Sequence, residues 1–238
     1  MSCPVGTGAG RNRLALIDRK GNDMSGKSKA LGLGLVAMLA IAAIASVSAS
    51  AEVTGHFIVE GGDANLVGSE SATHNSQFSV DGGTPIECLN DTYEGFGGSE
   101  TLAGFTLKPK YPTCKTVGAA NHEVTITPNG CSYTLKSTSK VHATFWILCP
   151  EGKPMEIHHP NCTITIEEQS NLSAVSYTTL LENTKHALTV NLTVENITAH
   201  YHGGACIFLG TTHKGALKGS FTIKALDTAG KQVNLTVT

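Results

Sequence analysis

Aliphatic and polar side chains alternate with period two along most of the chain beyond residue 51. In Leu188-Thr-Val190-Asn-Leu192-Thr-Val194-Glu, four aliphatics share one face while Thr189, Asn191, Thr193 and Glu195 share the other. The alternation recurs at Val124-Thr-Ile126-Thr, Ile164-Thr-Ile166-Glu, Phe221-Thr-Ile223-Lys and Val233-Asn-Leu235-Thr-Val237. Period two is the signature of a pleated strand with one buried face. No window in this part keeps apolar residues at i, i+3, i+4 and i+7, so helix is expected only in the N-terminal segment. Thr, about a seventh of residues 52–238, suits the exposed face of a sheet because its branched Cβ favours extended backbone.

Turn signals separate the runs: Gly61-Gly62-Asp63, Asp81-Gly82-Gly83, Pro128-Asn129-Gly130, Pro150-Glu-Gly152, His159-Pro160-Asn161, Gly203-Gly204 and Ala229-Gly230. Strands of roughly five to nine residues joined this closely leave no room for the long crossovers of a parallel sheet. About a dozen strands exceed what one open sheet carries comfortably. The expectation is therefore an all-β, mostly antiparallel β-sandwich, immunoglobulin-like or jelly-roll-like, with a β-barrel as the alternative. Tyr93-Glu-Gly-Phe-Gly-Gly-Ser-Glu-Thr101 has weak strand character and reads as a surface loop. One β domain over 52–238 is expected, a division near Gln169-Ser-Asn171 being the runner-up.

The N-terminal segment departs from this pattern. Ala30 to Ala45 is an uncharged run of sixteen residues, preceded by Lys27 and Lys29 and followed by Ser46-Val-Ser-Ala49-Ser-Ala51. Basic start, apolar middle and small-residue end are the layout of an export signal. Residues 24–51 read as that signal, with Ala49 and Ala51 forming the cleavage site and Glu52 the first mature residue. The run is short of the ~20 residues a spanning helix needs, so membrane attachment is expected only if the signal stays uncleaved. Met24 makes the better start, and residues 1–23 read as an over-long or dispensable extension. Gly21-Asn-Asp-Met-Ser-Gly26-Lys27-Ser28 matches the phosphate-loop pattern, but the helix that should follow is the apolar signal itself, which excludes a nucleotide site.

Charge narrows the partners. Beyond residue 51 there are 11 Lys and no Arg against 17 acidic residues, a net charge of −6. Strong nucleic-acid binding is excluded, because it needs clustered cations and favours Arg. Six cysteines remain there: Cys88, Cys114, Cys131, Cys149, Cys162 and Cys206. An even number in an exported chain implies three disulfides. Parity puts Cys131 on the face of Tyr133 and Leu135, Cys149 on that of Phe145 and Ile147, and Cys162 on that of Ile164 and Ile166. Cys88 with Cys114 is the expected pair, then Cys149 with Cys162, leaving Cys131 for Cys206. Zinc is disfavoured because no C-x-x-C occurs.

The string Cys114 … Val-Thr-Ile-Thr-Pro-Asn-Gly-Cys131-Ser-Tyr133 … Trp-Ile-Leu-Cys149-Pro-Glu-Gly152 … Cys162-Thr-Ile-Thr-Ile-Glu … Gln169 … Tyr177 … Cys206 resembles a group of uncharacterised secreted, six-cysteine, Thr-rich β proteins of actinobacterial genomes. The resemblance spans roughly residues 78 to 226 and rests on cysteine spacing with the N-G-C-x-Y and C-P-x-G turns. It implies export and a β fold, and transfers no functional residue.

Candidate chemistry is sparse. His200-Tyr-His202 puts two rings on one face of a strand, and His158-His159 precedes Pro160, so His158, His200 and His202 are weak metal candidates without a nameable further ligand. No G-x-S-x-G elbow occurs. Glu167 and Glu168, read as neighbours on a strand, point to opposite faces and cannot act as a carboxylate pair. A sugar platform would draw on Tyr93, Phe96, Tyr111, Trp146, Tyr177 and Tyr201, but Trp146 between apolar neighbours is expected in the core. N-x-[ST] sequons stand at Asn90, Asn161, Asn171, Asn191, Asn196 and Asn234. The expectation is a secreted or cell-surface β-sandwich with a structural, adhesive or ligand-binding role and no catalysis. No metal or cofactor is expected, and the partner is a cell-wall glycan or another surface protein. An extracellular hydrolase or metal-dependent enzyme using surface histidines is the alternative.

Overall fold

A computed structural model describes residues 55–71, 74–118, 121–160, 162–204, 206 and 210–238, without the side chains of 173 and 174. The N-terminal extension, the signal with Ala49 and Ala51, the phosphate-loop-like stretch and Asn161 lie outside the described residues. The described residues form one compact unit. They are all-β and contain no helix.

After β1 (Phe57–Val59) the chain makes eight passes, six of them broken in the middle. These are β2 (Asp63–Glu70) into β3 (Ser76–Val80), then β4 (Ile86–Leu89) into β5 (Thr92–Gly98), and, after the short β6 (Thr101–Leu102), β7 (Gly104–Lys110) into β8 (Thr113–Thr116). Next come β9 (Glu123–Thr127) into β10 (Ser132–Ser137), β11 (His142–Leu148) into β12 (Met155–His159), and β13 (Cys162–Ile166) into β14 (Gln169–Glu182). The long hairpin β15 (Lys185–His202) and β16 (Gly210–Leu226) completes the passes, followed by β17 (Gln232–Val233) and β18 (Leu235–Val237). Every ladder is antiparallel. One half of the molecule pairs β16-β2-β5-β7-β10-β11-β14-β15 and returns to β16. The other pairs β16-β3-β4-β8-β9-β12-β13-β15 and returns likewise. The two halves share only the long hairpin, and together form a large sheet ring whose inward faces meet on one core, which bears out the all-β, mostly antiparallel expectation.

Two of the breaks, and two bulges inside longer strands, have a chemical cause. Asn90, Asn129, Asn171 and Asn196 all take left-handed backbone, the non-glycine conformation that Asn tolerates best. Asn171 and Asn196 accompany register shifts in the β11–β14 and β15–β16 ladders, so they mark bulges. Their presence in sequons therefore has a backbone explanation. The strands of the last hairpin, at 18 and 17 residues, are longer than the expected five to nine. These bulges let an aliphatic alternation continue across them.

The segment read as a surface loop is corrected: Thr92–Gly98 is strand, and Tyr93 is 1% exposed. Its glycines misled because glycine weakens a strand unless a neighbour needs the space. Here one does. A Cβ on Gly68 would stand 2.9 Å from the Tyr93 Cβ, and the Tyr93 ring stacks on Phe221 at 4.2 Å. Trp146 is corrected too. Phe145 and Ile147 take the inner face of β11, so Trp146 faces outward, half-buried, with the Lys136 ammonium 3.4 Å from its ring centre.

β1 pairs with β6 and β18 in a separate small sheet and buries Phe57 against Phe105 and Tyr177, at 4.6 and 5.2 Å between ring centres. The Tyr177 hydroxyl bridges the buried Ser137 hydroxyl (2.8 Å), the Ser139 carbonyl and the His142 carbonyl (3.0 Å), tying the β10–β11 turn to the core. Tyr177→Phe leaves these groups short of a partner without opening a cavity. It is expected to cost about 1 to 3 kcal/mol, read as a drop of several degrees in melting temperature.

Three disulfides join Cys88–Cys114, Cys131–Cys149 and Cys162–Cys206. The first is the expected pair. The other two correct the expected Cys149–Cys162 and Cys131–Cys206. Cross-strand register is the reason. Cys88 and Cys114 stand opposite each other in the β4–β8 ladder, and the β10–β11 register, Ser132 against Leu148, brings Cys131 opposite Cys149. Cys162 starts β13 beside the end of β15, from which the chain turns back to Cys206. Such a set of bridges belongs to an oxidising, extracytoplasmic environment. No helix among the described residues is long and apolar enough to cross a membrane.

Candidate functional site

The outer face of β9, β12, β13, β15 and β16 carries an unusual side-chain set. Because the ladders are in register, outward residues fall into rows. Thr125, His158, Thr163 and His202 form one; Thr127, Glu156, Thr165, His200 and Thr211 form the next. The rows are knitted by hydrogen bonds between rings and hydroxyls. His158 Nδ1 lies 3.2 Å from Thr163 Oγ1, His202 Nε2 3.2 Å from Thr165 Oγ1, and His200 Nδ1 2.7 Å from Thr211 Oγ1. His213 Nδ1 adds a contact of 2.9 Å to Thr198 Oγ1 at one edge. His158 Nε2 also meets Glu156 Oε2 at 2.9 Å, an ion pair whenever the ring is protonated.

His200 and His202 do share a face, as their spacing predicts. His158 does not join them: Thr163 stands between it and His202, which puts the two columns roughly 10 Å apart. Among the described residues no group of three His, Cys, Asp or Glu is close enough to hold a metal ion. This face presents ring nitrogens and hydroxyls in a fixed array, braced beneath by aliphatic Val124, Ile126, Ile157, Ile164 and Ala199 on the inner side of the same strands.

The other sequence candidates disperse. Of the six platform aromatics, Tyr93, Tyr111 and Tyr177 are buried, Trp146 and Tyr201 are half-buried, and only Phe96, at 60%, is exposed. Burial pushes the Tyr201 hydroxyl up to about 12, and the Asp81 carboxylate adds to the shift. Glu167 and Glu168 lie in the link between β13 and β14, not on a strand, and both are exposed. They line a shallow cleft with Glu151 and Lys153 beside the Cys149-Pro150 turn.

Sequence reasoning missed a polar seam inside the ring. Asp91 is 1% exposed, and neither of its carboxyl oxygens has a hydrogen-bond partner. Burial raises its pKa to about 7. The Ser76 hydroxyl, near enough to favour charge without completing a bond, offsets part of this, and the Glu70 carboxylate adds to it. Ser76 Oγ lies 3.2 Å from the Tyr93 hydroxyl, and the Tyr111 and Tyr133 hydroxyls meet at 2.6 Å deeper in. Burial pushes the Tyr93, Tyr111 and Tyr133 hydroxyls well up. Parity carried the signal, since Glu70 follows Ala64, Leu66 and Gly68 on the inner face of β2, and Asp91 shares a face with Tyr93. Compared with known protein families, curated proteins and solved structures, the chain matches none of them.

Proposed function

We propose that this is an exported, disulfide-braced β protein that acts by binding, without catalysis, and that its binding surface is the histidine–threonine face. The observation that carries the reading is the in-register array of His158, His200, His202 and their threonine partners. An array of alternating donors and acceptors with no apolar anchor matches a ligand rich in hydroxyl groups. Protein–protein hot spots, in contrast, are built on Trp, Tyr and Arg, and this face has none of the three in its rows. Cell-wall glycan is therefore favoured over a surface protein as the partner. The signal-like segment and the resemblance to secreted chains support export to the place where such a glycan is met.

The test is co-sedimentation with purified cell-wall glycan. The triple variant His158→Ala, His200→Ala, His202→Ala is expected to bind at least tenfold more weakly while keeping the circular dichroism spectrum of the parent. Equal binding by parent and variant, or no sedimentation of the parent at all, would overturn the reading.

A further inference from the structure

The polar seam reaches the surface where the first pass breaks between β2 and β3 and the second between β4 and β5. Glu70 and Asp91 face each other there. Glu70 donates its N–H to the Asp91 carbonyl (3.1 Å), continuing the β2–β5 register in which Ser69 opposes Thr92. Two carboxyl groups thus stand directly opposite on the inner face, an arrangement that costs stability if both are charged and nothing lies between. Both Glu70 carboxyl oxygens accept from backbone: Ser76 N–H donates to Oε1 and Asn90 N–H to Oε2, both at 2.8 Å. Each of those oxygens keeps a second lone pair. Asp91 is almost wholly buried and has all its acceptor capacity unused.

A cleft opens beside the pair, lined by Glu70, Ser71, Asn75, Asn90, Asp91 and Thr92 among others, with no cationic side chain among its lining residues. Asn75 gives its amide N–H to Glu87 Oε1 (3.0 Å), so its carbonyl oxygen is the atom left to accept. Every side-chain atom available as a ligand is therefore a hard oxygen.

We propose that this cleft binds a hard divalent cation of the Ca²⁺ type, with the Asp91 and Glu70 carboxylates as its charged ligands. A doubly charged ion turns the opposed pair from repulsive to attractive and supplies the buried Asp91 oxygens with the partner that no protein group provides. Ca²⁺ suits the setting because it accepts six to eight oxygens in flexible geometry, including amide carbonyls, hydroxyls and water. The absence of nitrogen or sulfur donors in the lining disfavours zinc and copper. This inference stands independently of the glycan reading, since the two surfaces share no residue.

The experiment uses the full chain with its disulfides formed, stripped with chelator and titrated with Ca²⁺ at pH 7.5. Equilibrium dialysis is expected to find one ion per chain, with a melting temperature raised by several degrees. Asp91→Asn should weaken binding at least tenfold and remove the thermal shift, whereas Glu94→Gln, on the outer face of β5, should change neither. No ion bound at millimolar Ca²⁺, or equal binding by the parent and Asp91→Asn, would overturn the proposal. Because Asn mimics the protonated carboxyl in size and shape, the variant is expected to fold, and its urea midpoint in chelator checks that.

Discussion

In buffer free of divalent ions, stability is expected to fall as the pH rises from about 4 to about 7, and Asp91→Asn is expected to abolish most of that fall. The sign follows from which state holds the proton. The folded pKa of Asp91 is about 7 against an ordinary value of 3.8, so between these limits the folded chain keeps a proton that the unfolded chain has released. Stability from this group is fully present below about 4 and is lost as the pH climbs through the folded value. A shift of this size corresponds to roughly 2 to 4 kcal/mol at pH 7.5. The charged and hydrogen-bonding groups that face Asp91 are Glu70, Ser76 and Tyr93, none of them cationic. Urea midpoints at pH 4.5, 6.0 and 7.5 provide the measurement. Parent and Asp91→Asn should agree at the lowest pH and diverge at the highest, with the variant the more stable. Parallel curves would show that Asp91 titrates normally.

Reduction of the disulfides should have the largest effect of all. The three bridges span 26, 18 and 44 residues in sequence. In the chain-entropy account each restricts the unfolded state by roughly 3 to 4 kcal/mol, and the three together match the whole 5 to 15 kcal/mol typical of a domain. All three sit in or beside the half built from β3, β4, β8, β9, β12 and β13, where the buried side chains are chiefly aliphatic. The large buried rings Phe105, Phe145, Tyr177 and Phe221 belong to the other half, with Phe57 of β1 packed against two of them. Full reduction is therefore expected to leave the protein unfolded or marginal at 37 °C, with the histidine–threonine face lost first. Peptide mapping of the unreduced protein should recover Cys88 with Cys114, Cys131 with Cys149 and Cys162 with Cys206. Recovery of Cys149 linked to Cys162 would contradict the β10–β11 register.

The faces of individual strands were legible from residue order alone. Leu188, Val190, Leu192 and Val194 are buried and Thr193 and Glu195 exposed, as alternation requires, and Cys131 is inside with Tyr133 and Leu135. At Trp146 parity outranks hydrophobicity: Phe145 and Ile147 on either side take the inner face and fix the ring outward. Tyr93 is not legible in the same way, because its glycine neighbours resemble loop residues until the partner strand is in place. The space that Gly68 leaves is visible only once β2 lies beside β5.

Alternation is a property of one strand's own backbone: successive side chains point to opposite faces whatever lies next to them. That is why the all-β class, the scarcity of helix, the outward direction of His200 and His202 and the inward direction of Cys131 could be read from the chain itself. Which strands become neighbours depends on closing loops of very different length and on packing every inward face at once, and no local pattern encodes it. Tertiary structure alone therefore chose Cys206 as the partner of Cys162 across 44 residues, and held His158 a full strand away from His202. It alone set Asp91 against Glu70, two carboxyls that stand 21 positions apart in sequence and face each other across a single pair of strands.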